Sequence, residues 1–167
     1  TTDGAQINCL ATKTRIKNSG ATQNLQGIIL TNTPNTTFPD NYVVQVRLQQ
    51  DAASSTDFGV YFRNQPGNNQ PGTYSFLINP DGSWSVNVYD NAGQPKALKT
   101  GTGAINDSHA AVTLDVVVNG QQFTFYANGT QLGTVTDATY NTGTVGIAVD
   151  QNVSITASNF KLYATAQ

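Results

Sequence analysis

The 167-residue chain has no glutamate and no methionine, and one residue each of cysteine, histidine and tryptophan. Each shortage closes off some chemistry. All ten acidic side chains are aspartates, so a paired-carboxylate glycosidase site, with carboxyl groups about 5–5.5 Å apart, would need aspartates alone. No Asp-x-Asp or Asp-x-x-x-Asp pair lies along any strand-like run, and Asp115 is the one candidate carboxylate in mid-strand. The lone Cys9 excludes an intrachain disulfide; it reads as a buried thiol or as a bridge to another chain. The lone His109 follows Asn106-Asp107-Ser108 in a polar turn. Zinc ligation and a nucleophile with its histidine base therefore both lack material. Without methionine, the chain is expected to be a processed mature form or an excised segment.

Charge is scarce too. Charged residues make up 11% of the chain, against about 25% in ordinary domains, and the net charge is −2. Nucleic-acid binding needs a basic footprint, so no nucleic-acid partner is expected. No apolar run approaches the roughly 18 residues of a membrane-spanning helix, so no membrane span is expected. One basic cluster stands out: Lys13, Arg15 and Lys17, at spacing two. It reads as an edge strand blunted by charge or as a binding patch.

What is present is a polar, neutral, hydrogen-bonding composition rich in Thr, Asn, Gln, Ser and Gly. It points to an extracellular or cell-surface setting. The length fits one domain. Alternation marks strands at Tyr42 to Gln49, Gly59 to Arg63, Thr73 to Asn79, Ser83 to Tyr89, Val112 to Val118 and Phe123 to Ala127. Turn chemistry separates them at Asn79-Pro80-Asp81-Gly82, Asn119-Gly120 and Asn128-Gly129. Further strands are read at Ile7 to Ile16, Leu25 to Thr31, Gln131 to Val135, Thr144 to Val149, Val153 to Ala157 and Asn159 to Tyr163, with Ala92 to Gly103 as a loop or short irregular strand. The expected fold is all-β: a two-sheet antiparallel sandwich. Residues 38–167 form its body, and residues 1–37 supply strands or an extension of open placement. Val60, Phe62, Tyr74, Phe76, Trp84, Val86 and Val88 are its predicted core.

The segments FPDNYVVQVRL, DFGVYFR, YSFLINPDGSWSVNVYD, FTFYANGTQLGTVTDATYNTGTVGIAVD and SNFKLYA resemble, in order and spacing, the concanavalin A-like jelly-roll domains of bacterial extracellular proteins. The likeness extends to laminarinase-type and 3-keto-disaccharide hydrolase domains. The laminarinase-type pattern Glu-x-Asp-x-x-Glu is absent, because the chain has no glutamate. The resemblance also admits a structural calcium. Ser158, however, stands where that family often has an aspartate ahead of Asn159-Phe160. No metal or other cofactor is therefore expected, and Asp137 and Asp150 read as turn residues.

Alternation leaves Tyr61, Arg63, Asn87 and Tyr89 on the face opposite the core. Rings that stack on sugars beside groups that bond hydroxyls make a carbohydrate site; the same four residues also fit a plain polar outer face. The expectation is a non-catalytic extracellular module, glycan-binding or the ectodomain of a surface protein. The alternative is a structural subunit of an extracellular filament or surface layer, self-associating through the N-terminal segment. A glycoside hydrolase is third, against the missing glutamates.

Overall fold

The computed structural model describes residues 5–10, 13–18, 26–29, 39–51, 56–65, 72–105 and 110–165, and in 5–10 and 26–29 it describes the backbone alone. Thirteen strands run through these residues. They are β1 (Ala5–Leu10), β2 (Lys13–Asn18), β3 (Gln26–Ile29), β4 (Tyr42–Gln50), β5 (Phe58–Asn64), β6 (Thr73–Ile78) and β7 (Trp84–Tyr89). β8 (Pro95–Gly101), β9 (Val112–Asn119), β10 (Gln122–Ala127), β11 (Thr130–Thr136), β12 (Thr144–Val149) and β13 (Ser154–Ala164) follow. The seven-stranded sheet has the order β1-β2-β13-β4-β9-β10-β11, and the six-stranded sheet has the order β3-β12-β5-β6-β7-β8. Every pairing is antiparallel.

The sheets close on each other because each contributes one apolar row from alternating residues. Val44, Val46 and Leu48 meet Val112, Leu114, Val116 and Val118 on the first sheet, and Phe58, Val60 and Phe62 meet Tyr74, Phe76 and Ile78 on the second. Aromatic rings fill the space between. Phe62 stacks on Tyr74 at 5.2 Å and meets Phe123 edge-on at 5.1 Å, while Phe76 lies 5.1 Å from Phe125. All seven predicted core residues lie in this cluster. Trp84 is among them, edge-on to Phe76 at 6.4 Å. Each such side chain contributes about 1.5–3 kcal/mol of burial free energy.

Two readings need correction, and one left open is decided. Ile7 to Ile16 is two strands, a hairpin of β1 and β2, and the basic strand β2 lies between β1 and β13 rather than at an edge. Ala92 to Gly103 contains β8, the end strand of its sheet. Its residues are almost all exposed, so it shows no apolar alternation. Val153 to Ala157 and Asn159 to Tyr163 belong to one strand, β13, whose register against β4 shifts between Ser158 and Lys161. Asn159 takes φ 52° there, a left-handed conformation that asparagine tolerates better than most residues. The strand continues through the bulge, so a sequence reader sees two runs.

A second bulge matters more. Thr144 pairs with Asn64 and Gly146 with Tyr61, so Val145 alone faces both Phe62 and Arg63. The extra residue on β5 breaks its alternation, and Arg63 has φ 50°. Gly143 makes the approach possible. A Cβ at Gly143 would come within 2.5 Å of the Arg63 carbonyl carbon, and its φ of 140° is strained for other residues.

Candidate functional site

The bulge sends Arg63 away from the other three predicted site residues. Tyr61 stays on the outer face of the six-stranded sheet, but Arg63 turns inward and is 2% exposed. Its guanidinium carbon lies 5.0 Å from the centre of the Phe123 ring. Nη1 donates to the Tyr140 carbonyl at 2.8 Å, and Nη2 donates to the carbonyls of Gly120 at 2.6 Å and Asp40 at 3.3 Å. Arg63 thus ties the β9–β10 turn, the approach to β4 and the β11–β12 connection to the end of β5. The expectation that Arg63 offers its guanidinium to a ligand beside Tyr61 is corrected. A one-residue bulge reverses the face, and the cation is enclosed by carbonyls. Arg63 Nε and the Tyr42 hydroxyl are buried with no partner in bonding geometry. Burial pushes the Tyr42 phenol up, with the Arg63 charge pulling it back.

Tyr61, Asn87 and Tyr89 do come together. Tyr61 pairs with Ser75, Ser75 with Asn87, and Thr73 with Tyr89 in one continuous register. The Tyr61 and Tyr89 rings meet edge-on with centroids 6.5 Å apart. Asn87 Nδ2 donates to Ser85 Oγ at 3.0 Å and Ser75 Oγ at 3.3 Å, which fixes its amide orientation. Burial pushes both phenols up; the charge of Asp150 adds to this at each, and at Tyr89 the Ser75 hydroxyl opposes it.

The face divides into two parts. On the β12–β5–β6 side, Tyr61, Leu77 and Ala148 form a small buried cluster of their own, and Ser75 is fully buried. On the β7–β8 side, Ser85, Asn87 and Tyr89 are half-buried and Ala97 and Thr100 are exposed. A groove of about 400 Å³ opens at the far end of β7, lined by Asp57, Leu77, Asn79, Ser83, Ser85 and Thr100, with Trp84 at its floor.

Sequence reasoning missed Asp57, which precedes β5 in a small-residue loop. Its Oδ1 accepts from Asn79 Nδ2 at 2.9 Å. Burial pushes its carboxyl up, the Asn79 amide opposes this, and the charges of Asp150 and Asp81 add to the rise. The latter two carboxylates serve turns: Asp81 Oδ1 accepts from the Ser83 amide and Asp150 Oδ1 from the Gln151 amide. Asp137 does more than a turn residue. Its Oδ1 accepts from the Thr139 amide at 2.8 Å and from the core Tyr74 hydroxyl at 2.5 Å. Asp115 lies on the outer face of the other sheet and accepts from Gln45 Nε2 at 2.6 Å. Asn128 and Gly129 have φ 50° and 79°, as a tight hairpin turn requires. His109 and the Cys9 side chain lie outside the described residues. Among the described residues, no three His, Cys, Asp or Glu side chains gather as a metal site.

Two outcomes follow. Arg63→Ala strands three carbonyls, and should lower the unfolding free energy by about 3 kcal/mol or more; urea denaturation measures it. Arg63→Lys should recover only part, because an ammonium lacks the planar fork. A wild-type stability for Arg63→Ala would remove the clamp. Asp57 has the opposite character. A carboxyl raised in the folded state contributes stability at low pH that is lost as pH rises through its unfolded and then its folded value. Asp57→Asn should therefore raise the melting temperature near pH 7, and the gain should vanish near pH 3. An equal shift at both pH values would contradict the burial penalty.

No curated protein matches the chain significantly. Solved structures do. The carbohydrate-binding module CBM66 from Bacillus subtilis aligns with TM-score 0.70 at 10% identity, covering 98% of this chain and 94% of that one. A Bacillus subtilis protein of unknown function with a galectin-like fold aligns with TM-score 0.71 at 10% identity, covering 96% and 86%. The galectin LEC-6 from Caenorhabditis elegans aligns with TM-score 0.59 at 14% identity, covering 96% and 98%. At such identities the likeness establishes a shared lectin-like sandwich and nothing finer. Residues 22–161 match the concanavalin A-like lectin/glucanase superfamily, and the chain belongs to that superfamily.

Proposed function

We propose that the chain is a non-catalytic extracellular module that binds glycan on the β7–β8 side of its six-stranded sheet, alone or as the ectodomain of a surface protein. The observation that carries this reading is the continuous polar strip of Ser85, Asn87 and Tyr89 along β7, leading into the groove beside Asp57, Ser83 and Thr100. A ring face stacks on sugar C–H groups, and fixed amide, hydroxyl and carboxylate groups bond sugar hydroxyls. Tyr61 backs the Tyr89 ring from the buried side. Arg63 acts at a distance: it holds the Tyr140 carbonyl, and the Tyr140 hydroxyl donates to the Tyr89 carbonyl at 2.9 Å. Support from fold comes from neighbours whose own names are carbohydrate-binding module and galectin.

The non-catalytic part rests on the carboxylates. Asp57 lines the groove, whereas Asp81 and Asp150 are engaged by backbone amides. A glycosidase needs an acid and a second carboxylate free to attack or to activate water. Residues 1–37 are proposed as outer strands of the same domain, since β1 and β2 extend one sheet and β3 the other. A filament or surface-layer subunit is the second reading, with the end strand β1 as the edge that a second copy would extend.

On a glycan array the purified chain should bind a restricted set of sugars. Asn87→Ala and Tyr89→Ala should each weaken binding about tenfold with little change in melting temperature. Silence across the array would remove the glycan reading. Incubation with β-glucans should release no reducing sugar; release would overturn the non-catalytic assignment.

A further inference from the structure

The outer face of the seven-stranded sheet has a different character. We propose that it carries a second binding site, for an acidic polysaccharide whose carboxylate or sulfate group is held between Lys13 and Arg47. Positive charge is concentrated there although the chain is acidic overall. Register and burial put Lys13, Arg15, Lys17, Arg47 and Lys161 on this face, which is five of the eight lysines and arginines in the chain.

The aspartates nearby are already engaged. Asp51 takes Arg15 Nε at 2.8 Å and the hydroxyls of Ser154 and Thr156 at 2.7 Å each. Burial pushes its carboxyl up, but these partners outweigh that and hold it below the usual range. Asp115 is bonded by Gln45. Among the described residues the Arg15–Asp51 pair is the one ion pair, so Lys13 and Arg47 have no counter-charge.

Geometry joins those two cations. Lys13 pairs with Ser158 and Ser158 with Arg47, one row across β2, β13 and β4. They stand two strand spacings apart, roughly 10 Å, with the Ser158 hydroxyl between them. The β13 bulge at Asn159 opens this row into a depression of about 310 Å³, also lined by Gln49, Thr156 and Asn159. An oxyanion above Ser158 would receive a guanidinium fork from one side and an ammonium from the other. The hydroxyl and amide groups around it suit sugar hydroxyls. Among the described residues no aromatic ring lines the depression, and these offer no platform for stacking a nucleic-acid base. β2 is an interior strand, so its cations are not there to blunt an edge.

Affinity electrophoresis through gels containing polygalacturonate, dextran sulfate, neutral dextran or double-stranded DNA tests this. The full chain should be retarded by at least one acidic polysaccharide and not by neutral dextran or DNA. Retardation by polygalacturonate alone assigns a carboxylate; by dextran sulfate alone, a sulfate ester; by both, the shared oxyanion chemistry. Lys13→Ala and Arg47→Ala should each weaken it about fivefold or more. Both side chains are exposed, and an unchanged melting temperature confirms that the variants fold. Lys96→Ala on β8 of the other sheet should change nothing. The site is overturned if neither acidic polymer retards the chain, if DNA or neutral dextran does so equally, or if Lys96→Ala matters as much as Arg47→Ala.

Discussion

A buried cation organises one end of this sandwich. The Arg63 guanidinium lies between the sheets against Phe123, its two terminal nitrogens bonded to carbonyls from three separate connections. Enclosing a charge costs several kcal/mol unless good hydrogen bonds offset it, and the left-handed backbone at Arg63 adds of order 1 kcal/mol. Those costs are met only when the β9–β10 turn, the segment before β4 and the β11–β12 connection all converge. The clamp therefore makes the positions of three loops conditional on one another. Gln65 reinforces it, donating to the carbonyls of Arg63 and Thr142.

The clamp reaches the candidate site through Tyr140. That residue accepts from Arg63 through its carbonyl, donates its amide to the Tyr74 hydroxyl, and donates its own hydroxyl to the Tyr89 carbonyl. Tyr74 in turn donates to Asp137, and burial, reinforced by that carboxylate, raises its phenol to about 12. The end of β7 is thus held by a chain of bonds that begins inside the core. Along the rest of β7 the side chains point outward beside hydroxyls, with Asn87 oriented by Ser75 and Ser85. One face is in this way divided into a closed apolar half and an accessible polar half.

The architecture could be read from sequence wherever alternation is unbroken. β4, β6, β7, β9 and β10 each show it, and the inward residues of all five lie in the core. Alternation fails at bulges, because a single inserted residue leaves no mark in composition yet reverses every assignment beyond it. For that reason alternation alone assigns Arg63 to the wrong face and divides β13 into two runs. β8 was obscure for another reason: an end strand with exposed residues on both faces has no apolar period to detect. The site was legible in part. Asn87 and Tyr89 follow from the period of β7, whereas Asp57, Ser83 and Thr100 come from loops and an end strand that only the folded chain brings beside them. The Lys13, Arg15 and Lys17 spacing was visible, but its junction with Arg47 depends on β13 lying between β2 and β4.

The central claim is that a core-anchored clamp sets up a strip for neutral sugars on the six-stranded sheet. Amide chemical shifts followed by NMR while neutral oligosaccharides are titrated in test it most directly. The account predicts perturbations centred on Ser83, Ser85, Asn87, Tyr89 and Thr100, with the outer face of the seven-stranded sheet unmoved. Perturbations centred on Lys13, Arg47 and Ser158 with the same neutral sugars, or none anywhere for sugars selected on an array, would contradict it.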